Sequence, residues 1–185
     1  MSSGVTLSGM ELVQPSAEYK DSFIDAVKEY KSEAETESTR RYRNLSIQDL
    51  ETDFESFVER ELSNSKGENL PLGYVPQTDY WLIDENKFVG RVSIRHEMTE
   101  HLLKIGGQIG YDIRPSKRRQ GYGNKILELA LPNAKDLGMS RVLVTSDVTN
   151  TASRKIIEKN GGVLENQVPN PETGVDKLRF WIDIK

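Results

Sequence analysis

The chain has 185 residues, with 25 Lys or Arg against 29 Asp or Glu for a net charge of −4, and it contains no cysteine. That length suits one domain with its own core, and the missing cysteine excludes a disulfide framework, thiolate-bound zinc and a thiol nucleophile. The acidic balance offers nucleic acid or an anionic membrane nothing global to bind, so neither is expected as a partner.

Met1 to Gly9 is rich in Ser and Gly and lacks a core pattern, so 1–9 reads as a flexible leader and 10–185 as a single domain. No apolar run reaches the length of a membrane span and the N-terminus lacks the regions of a signal peptide, so a cytoplasmic location is expected.

Met10 to Gln14 reads as a short strand, and Ser16 caps a helix whose Tyr19, Phe23, Ile24, Val27 and Tyr30 recur at three- and four-residue steps. The polar segment Glu33 to Arg43 reads as a loop or a helix extension. Ser46 caps a second helix, with Leu50, Phe54, Phe57, Val58 and Leu62 as its buried stripe and Asn64 to Gly67 as its stop. After a Pro/Gly loop, Tyr80 to Ile83 and Phe88 to Arg95 form a hairpin around Asp84-Glu85-Asn86-Lys87. Gly107 to Ile113 is the next strand, stopped by Pro115. A helix over Gly121 to Leu137 carries Pro132, which predicts a bend or an early restart there. Arg141 to Thr145 is a strand, Asn150 to Asn160 a helix, and Gly162 to Gln167 and Lys177 to Ile184 are the closing strands.

The chemistry concentrates in Arg118-Arg119-Gln120-Gly121-Tyr122-Gly123, between a strand and the helix that follows. Two glycines at such a junction let a ligand approach the backbone, and the first turn of the helix offers unpaired N–H groups and a positive dipole end, a geometry that binds phosphate. The run lacks the third glycine of a dinucleotide fingerprint and the Gly-Lys-Ser/Thr of a P-loop. Arg114, Lys117, Arg118 and Arg119 concentrate positive charge around it, as a small polyanion requires. A second run, Asn150-Thr151-Ala152-Ser153, heads the helix after the Arg141 strand. His96 and His101 bracket a sequence like a zinc-binding helix, but their five-residue step puts them on different helix faces, so no metal is expected.

Arg118-x-x-Gly121-x-Gly123 resembles the pyrophosphate loop of the GNAT superfamily of N-acetyltransferases, and Asn150-x-x-Ser153 is similar to its second motif, in the version found in enzymes acting on ribosomal-protein N-termini. Many members carry a tyrosine later in that helix, where this chain has Ile157. The resemblance implies an α/β fold with a central mixed, mostly antiparallel sheet of about seven strands and helices on both faces. It implies acetyl-CoA as cosubstrate, with the pyrophosphate held by Arg118, Arg119, Gln120, Gly121, Tyr122, Gly123 and Asn124, and the pantetheine arm by Asn150 and by the strand around Tyr111, Asp112 and Ile113. The acetyl group would pass directly to the primary amine of a small molecule or a peptide. Ser153 is then the candidate acid for the departing thiolate, with Tyr111 as the other catalytic candidate, although a serine in the first turn also suits capping a helix N–H. Tyr80, Arg95 and His96 are candidate acceptor-binding residues. His96, Glu97, Glu100 and His101 are titratable groups on one connection, whereas Gln108 cannot titrate. A homodimer fits the resemblance too. The other reading is a non-catalytic acyl-CoA-binding or sensing protein on the same fold.

Overall fold

The computed structural model describes residues 9–68 and 70–185, apart from the side chains at 37 and 38. The leader expected over 1–9 lies outside the described residues except for Gly9. Strand β1 (Glu11–Val13) leads through a 3-10 turn, capped by Ser16, into α1 (Lys20–Ser32). Phe23, Ile24, Val27 and Tyr30 are buried on one face of α1, as their spacing requires.

The segment read as a loop or extension contains a separate helix, α2 (Glu37–Arg43), started by a capping box in which Thr36 and Thr39 satisfy each other's backbone N–H groups. The single helix expected after Ser46 is two, α3 (Ile47–Thr52) and α4 (Phe54–Ser63). Asp53 sits between them with φ −142° and accepts from the Ser56 N–H, so it caps α4 instead of continuing α3.

Strands β2 (Gln77–Asp84) and β3 (Lys87–Arg95) form the expected hairpin. Glu85 and Asn86 both have positive φ, 48° and 58°, as a two-residue turn matched to strand twist demands. Then follow β4 (Ile109–Ile113), α5 (Tyr122–Asp136), β5 (Arg141–Asp147), α6 (Thr151–Lys159), β6 (Val163–Val168) and β7 (Lys177–Asp183).

The seven strands make two antiparallel sheets, ordered β1-β2-β3-β4 and β5-β7-β6. Helices α5 and α6 cover one side, where Val92, Ile109, Ile126, Leu127, Val144 and Phe180 belong to one core. Helices α1 to α4 cover the other side of the first sheet around an aromatic cluster of Phe23, Phe54, Phe57, Trp81 and Phe88. Gly90 stands opposite Ile113, and a methyl group there would run into the Asp112 carbonyl, so only glycine lets β3 and β4 lie this close.

Helix α5 continues without a break across Pro132, contrary to the expected restart. The proline is on the exposed face, so the ring points to solvent and the carbonyl it leaves unpaired at Glu128 is within reach of water. Pro132→Ala restores that hydrogen bond and should raise unfolding stability by about 2 kcal/mol, allowing for the entropy the proline removes from the unfolded chain. Urea unfolding checks this: the midpoint rises with an unchanged slope.

Candidate active site

Backbone geometry defines the site. β4 and β5 meet at a hydrogen bond from the Gln108 N–H to the Leu143 carbonyl (2.6 Å) and then part into separate sheets. Gly107 makes that junction possible: its φ is +70°, and a Cβ would lie 3.2 Å from both Leu143 O and Thr145 N. Thr145 Oγ1 donates to the Ile105 carbonyl (2.8 Å), and Arg95 Nη1 donates to the carbonyls of Gly106 (3.2 Å) and Gly107 (3.0 Å), fixing the turn.

Beyond the junction, alternation decides which groups face the opening. The Arg114 N–H bonds to Val89 O and the Arg95 N–H to Gln108 O, so the even-numbered residues of β4 pair with β3. The backbone groups of Tyr111 and Ile113 therefore point toward the gap. Asp112, expected on the cofactor side, points its backbone groups at Arg91, and its carboxylate accepts from Tyr30 (2.7 Å) and Tyr42 (2.6 Å) on the opposite face. Strand period thus turns Asp112 away from the gap, unlike its neighbours Tyr111 and Ile113.

The loop before α5 carries the expected geometry. Arg119 and Gly121 have φ of 60° and 91°, and Gly121 is the residue at which α5 starts. Among the described residues, the N–H groups of Arg119, Gln120, Gly121, Tyr122 and Gly123 have no acceptor; the next two, of Asn124 and Lys125, turn back to Gly121 O. Five consecutive donors at a helix N-terminus form a nest for an anion.

The side chains divide differently from the sequence reading. Arg118, expected to hold phosphate, donates through Nε to Ile113 O (3.0 Å) and through Nη1 to Glu33 (2.7 Å). Arg114 is likewise paired with Glu29 (2.7 Å). Two of the loop's four cations, Arg114 and Arg118, are thus engaged by carboxylates, Glu29 on α1 and Glu33 at its C-terminal cap. Arg119 is exposed, Lys117 lies 5.9 Å from the Tyr122 ring centre, and Gln120 donates to Ser116 O (3.0 Å). The Tyr122 side chain turns into the core, where its hydroxyl donates to Asp84 (2.6 Å). Gly123 lets α5 approach Ile156 of α6, so it has a packing role beside its place in the loop.

Helix α6 bridges the two ends of the site. At its C-terminal end Asn160 Nδ2 donates to Asn124 (3.2 Å), next to the anion nest; at its N-terminal end Ser153 Oγ lies 3.1 Å from the Tyr111 hydroxyl. Seven residues of helix separate these points by about 10 Å. Asn150 is the cap of α6, its Oδ1 accepting from the Ser153 N–H (3.0 Å), which leaves only its Nδ2 for a ligand. The cap is therefore Asn150 and not Ser153, whose hydroxyl is turned to Tyr111. Burial pushes the Tyr111 phenol up to about 12, and the Ser153 hydrogen bond opposes part of that rise.

The proposed acceptor residues divide between the two faces of the sheet. Tyr80 stands in register with Val92 and Tyr111 on the α5 side of the sheet, and Asp136, at the far end of α5, is among the groups that act on its phenol. Arg95 is on the other face, beside Gly110, while His96 Nε2 meets Thr78 Oγ1 (2.8 Å). Alternation along β2 and β3 puts Arg95 on one face and Tyr80 on the other, together with Thr78 and the His96 that meets it. His101 pairs with Glu172 (3.3 Å), well apart from His96 in its contacts. Tyr30, Tyr42, Arg91 and Asp79, which meet around Asp112, carry no signal in sequence because their partners are distant along the chain.

A family model described as an acetyltransferase (GNAT) domain matches residues 18–163. The chain belongs to the GNAT acetyltransferase family. No curated protein matches it in sequence. Solved structures share its fold. The ribosomal L7/L12 α-N-protein acetyltransferase RimL, in complex with coenzyme A, is 18% identical with a TM-score of 0.69, over 98% of this chain and 97% of that one. An acetyltransferase of Salmonella typhimurium that modifies the N-terminal serine of L7/L12 is 19% identical with a TM-score of 0.64, over 96% of each chain. The microcin C7 self-immunity acetyltransferase MccE, with acetyl-CoA and AMP, is 19% identical with a TM-score of 0.65, over 100% of this chain and 98% of that one. In this GNAT chain the sheet division, the anion nest and the hydroxyl pair lie along one path. Among the described residues, no helix is long and apolar enough to cross a membrane.

Because the Tyr111 phenol is raised from 10 to about 12, its contribution to stability is fully present below pH 10 and is lost as pH climbs through 12. Tyr111→Phe should therefore show a shallower fall in melting temperature between pH 10 and 12 than the parent. Equal slopes would mean that Tyr111 titrates normally.

Proposed function

We propose that this GNAT domain is an acetyl-CoA-dependent N-acetyltransferase that passes the acetyl group directly to a primary amine of a small molecule or peptide. The observation that carries this reading is the continuity of three features: the run of free N–H groups before α5, the edge of β4 left without a strand partner at Tyr111, and the Tyr111–Ser153 hydroxyl pair. Acetyl-CoA supplies an activated acyl group as a thioester, and the residues present fit its parts. The N–H groups from Arg119 to Gly123 suit the pyrophosphate, with Arg119 adding charge. The roughly 10 Å along α6 suits an extended arm, whose amides find the backbone groups of Tyr111 and the Asn150 Nδ2.

The remaining chemistry falls to the chain's own hydroxyls. The Tyr111 N–H on the free edge is oriented to donate to an acyl carbonyl oxygen, where charge develops as the amine adds. Ser153 Oγ holds a proton at the sulfur end. Tyr111 stays protonated at neutral pH and shares a hydrogen bond with Ser153 in which either hydroxyl can donate, so the pair offers a proton donor to the leaving group without either side chain being charged. A chain without cysteine has no route through a cysteine acyl-enzyme.

Acetyl-CoA at one hundred times its dissociation constant should stabilise the protein by about 2.7 kcal/mol. Gly121→Val should abolish that shift while the protein stays folded, since a branched side chain resists φ of 91° and blocks approach to the nest. Calorimetry showing normal acetyl-CoA binding by the valine variant would reject the loop assignment.

Ser153→Ala should slow single-turnover acetyl transfer by roughly ten- to a thousandfold with little change in acetyl-CoA affinity. An unchanged rate would remove the serine from the mechanism. Binding without turnover on any amine screened by thiol release would leave an acyl-CoA-binding protein.

A further inference from the structure

The Asp112 carboxylate points away from the gap, yet it organises a buried polar cluster. Tyr30 of α1 and Tyr42 of α2 stack face to face, 3.8 Å between ring centres and 3° from parallel, and both hydroxyls donate to the same oxygen, Oδ1. Arg91 of β3 faces the other oxygen at 3.6 Å and donates to Asp79 (2.8 Å). On the outer side of Tyr30 lies Arg118, its guanidinium carbon 5.9 Å from the ring centre, while its Nε holds the Ile113 carbonyl. Tyr30 is thus enclosed by Tyr42, Asp112 and Arg118. These belong in turn to α2, the strand bordering the gap, and the loop bearing the anion nest.

A cluster of this kind is an unusual way merely to hold helices on a sheet. Burying a carboxylate and a guanidinium costs several kcal/mol per ion, and apolar residues of similar volume often hold equally well or better. What hydrogen bonds to one oxygen add is a fixed position: Asp112 cannot shift along β4 without losing both phenols. Tyr111 and Ile113, its neighbours, carry the backbone groups that face the gap.

We propose that Tyr30 is a positioning residue for acetyl transfer, holding β4 through Asp112 and the nest loop through Arg118 in one register. This rests on the reading of the gap as the acetyl-CoA site. The ring and the hydroxyl act separately. The hydroxyl sets the strand that presents Tyr111 to the reacting carbonyl, and the ring supports Arg118 and so the loop before α5.

Two variants separate these actions. Tyr30→Phe keeps the stack and removes one donor to Asp112, leaving Tyr42 and Arg91 to satisfy the carboxylate. Its single-turnover rate at saturating acetyl-CoA should fall about tenfold, the acetyl-CoA dissociation constant should stay within about twofold, and amides of residues 109–114 should exchange with deuterium about tenfold faster while those of β5 do not change. Tyr30→Leu removes the ring and should weaken coenzyme A binding about tenfold. A lowered melting temperature in Tyr30→Phe with parental rate and exchange would show a purely structural tyrosine and overturn the inference. If the parent protein binds coenzyme A but transfers no acetyl group, the catalytic reading fails, while the exchange of 109–114 and the coenzyme A affinity of Tyr30→Leu still decide for or against Tyr30. If Tyr30→Leu does not fold, the exchange pattern of Tyr30→Phe decides alone.

Discussion

The parting of β4 from β5 is the constraint on which the rest of the structure depends. A strand edge with free N–H and C=O groups is ordinarily a hazard, because it recruits other strands. Here the opening is confined on one side by α5 and α6, and the two sheets are pinned together at its base by Gln108 and Leu143. The pin is built from unlike parts: a glycine at positive φ, a threonine hydroxyl on Ile105, and an arginine on two carbonyls. The threonine and the arginine occupy the carbonyls of Ile105, Gly106 and Gly107, and the glycine lets the strands approach. What remains unpaired is the backbone at Tyr111 and Ile113, and part of that is taken by Arg118 at the Ile113 carbonyl.

The electrostatics on the other face answer a different demand. Arg91 lies between Asp79 and Asp112, and these two carboxylates hold its guanidinium well above its ordinary range although burial acts the other way. Burial would raise Asp79, but the charges of Arg91 and Arg41, with donors from Ser93 and Gln77, keep its carboxyl below the usual carboxylate value. Tyr30 and Tyr42 are pushed far up, first by burial and then by the Asp112 charge, so both stay neutral donors. By linkage, the Asp79 contribution is present above the ordinary aspartate range and is lost as pH falls below it, whereas the two phenols contribute below pH 10 and lose their effect as pH rises beyond it. The cluster is therefore intact across the neutral range, where an acetyl-transfer site has to work.

Much of the fold was legible because it rests on local signals. Periodicity located α1, the hairpin, β5 and α6, and the glycine pair marked the start of α5. The failures were at positions where a cap competes with an apolar stripe. Phe54 and Leu50 continue a helical pattern, but Asp53 is a better N-cap than a helix interior residue, so the stripe is carried by two helices. Thr36 and Thr39 gave no such warning, since the capping box is better known with a glutamate. At the site, Ser153 and Tyr111 could be named as hydroxyl candidates, but nothing in sequence brings residues 42 apart to 3.1 Å; packing of α6 against β4 does. The orientation of Asp112 could not be read in advance, because a five-residue strand gives no sign of which residues face the gap until β3 fixes the register.

The same distinction explains the basic residues of the nest loop. A cluster of Arg114, Lys117, Arg118 and Arg119 looks in sequence like one positive surface awaiting phosphate. Arg114 and Arg118 are four residues apart in sequence, and so are their partners, Glu29 on α1 and Glu33 at its C-terminal cap. Two matched pairs of this spacing hold the segment against a helix, and Glu29 also accepts the Ser116 N–H (3.0 Å), satisfying a donor inside the turn. The carboxylates cancel much of the charge that the arginines would offer an anion. On the proposed reading of this loop as the pyrophosphate site, affinity would come mainly from oriented backbone donors and from Arg119, whose backbone is left-handed. Residue types in the loop thus reflect two physical tasks, fixing the turn and binding the anion, and only the backbone torsions tell them apart.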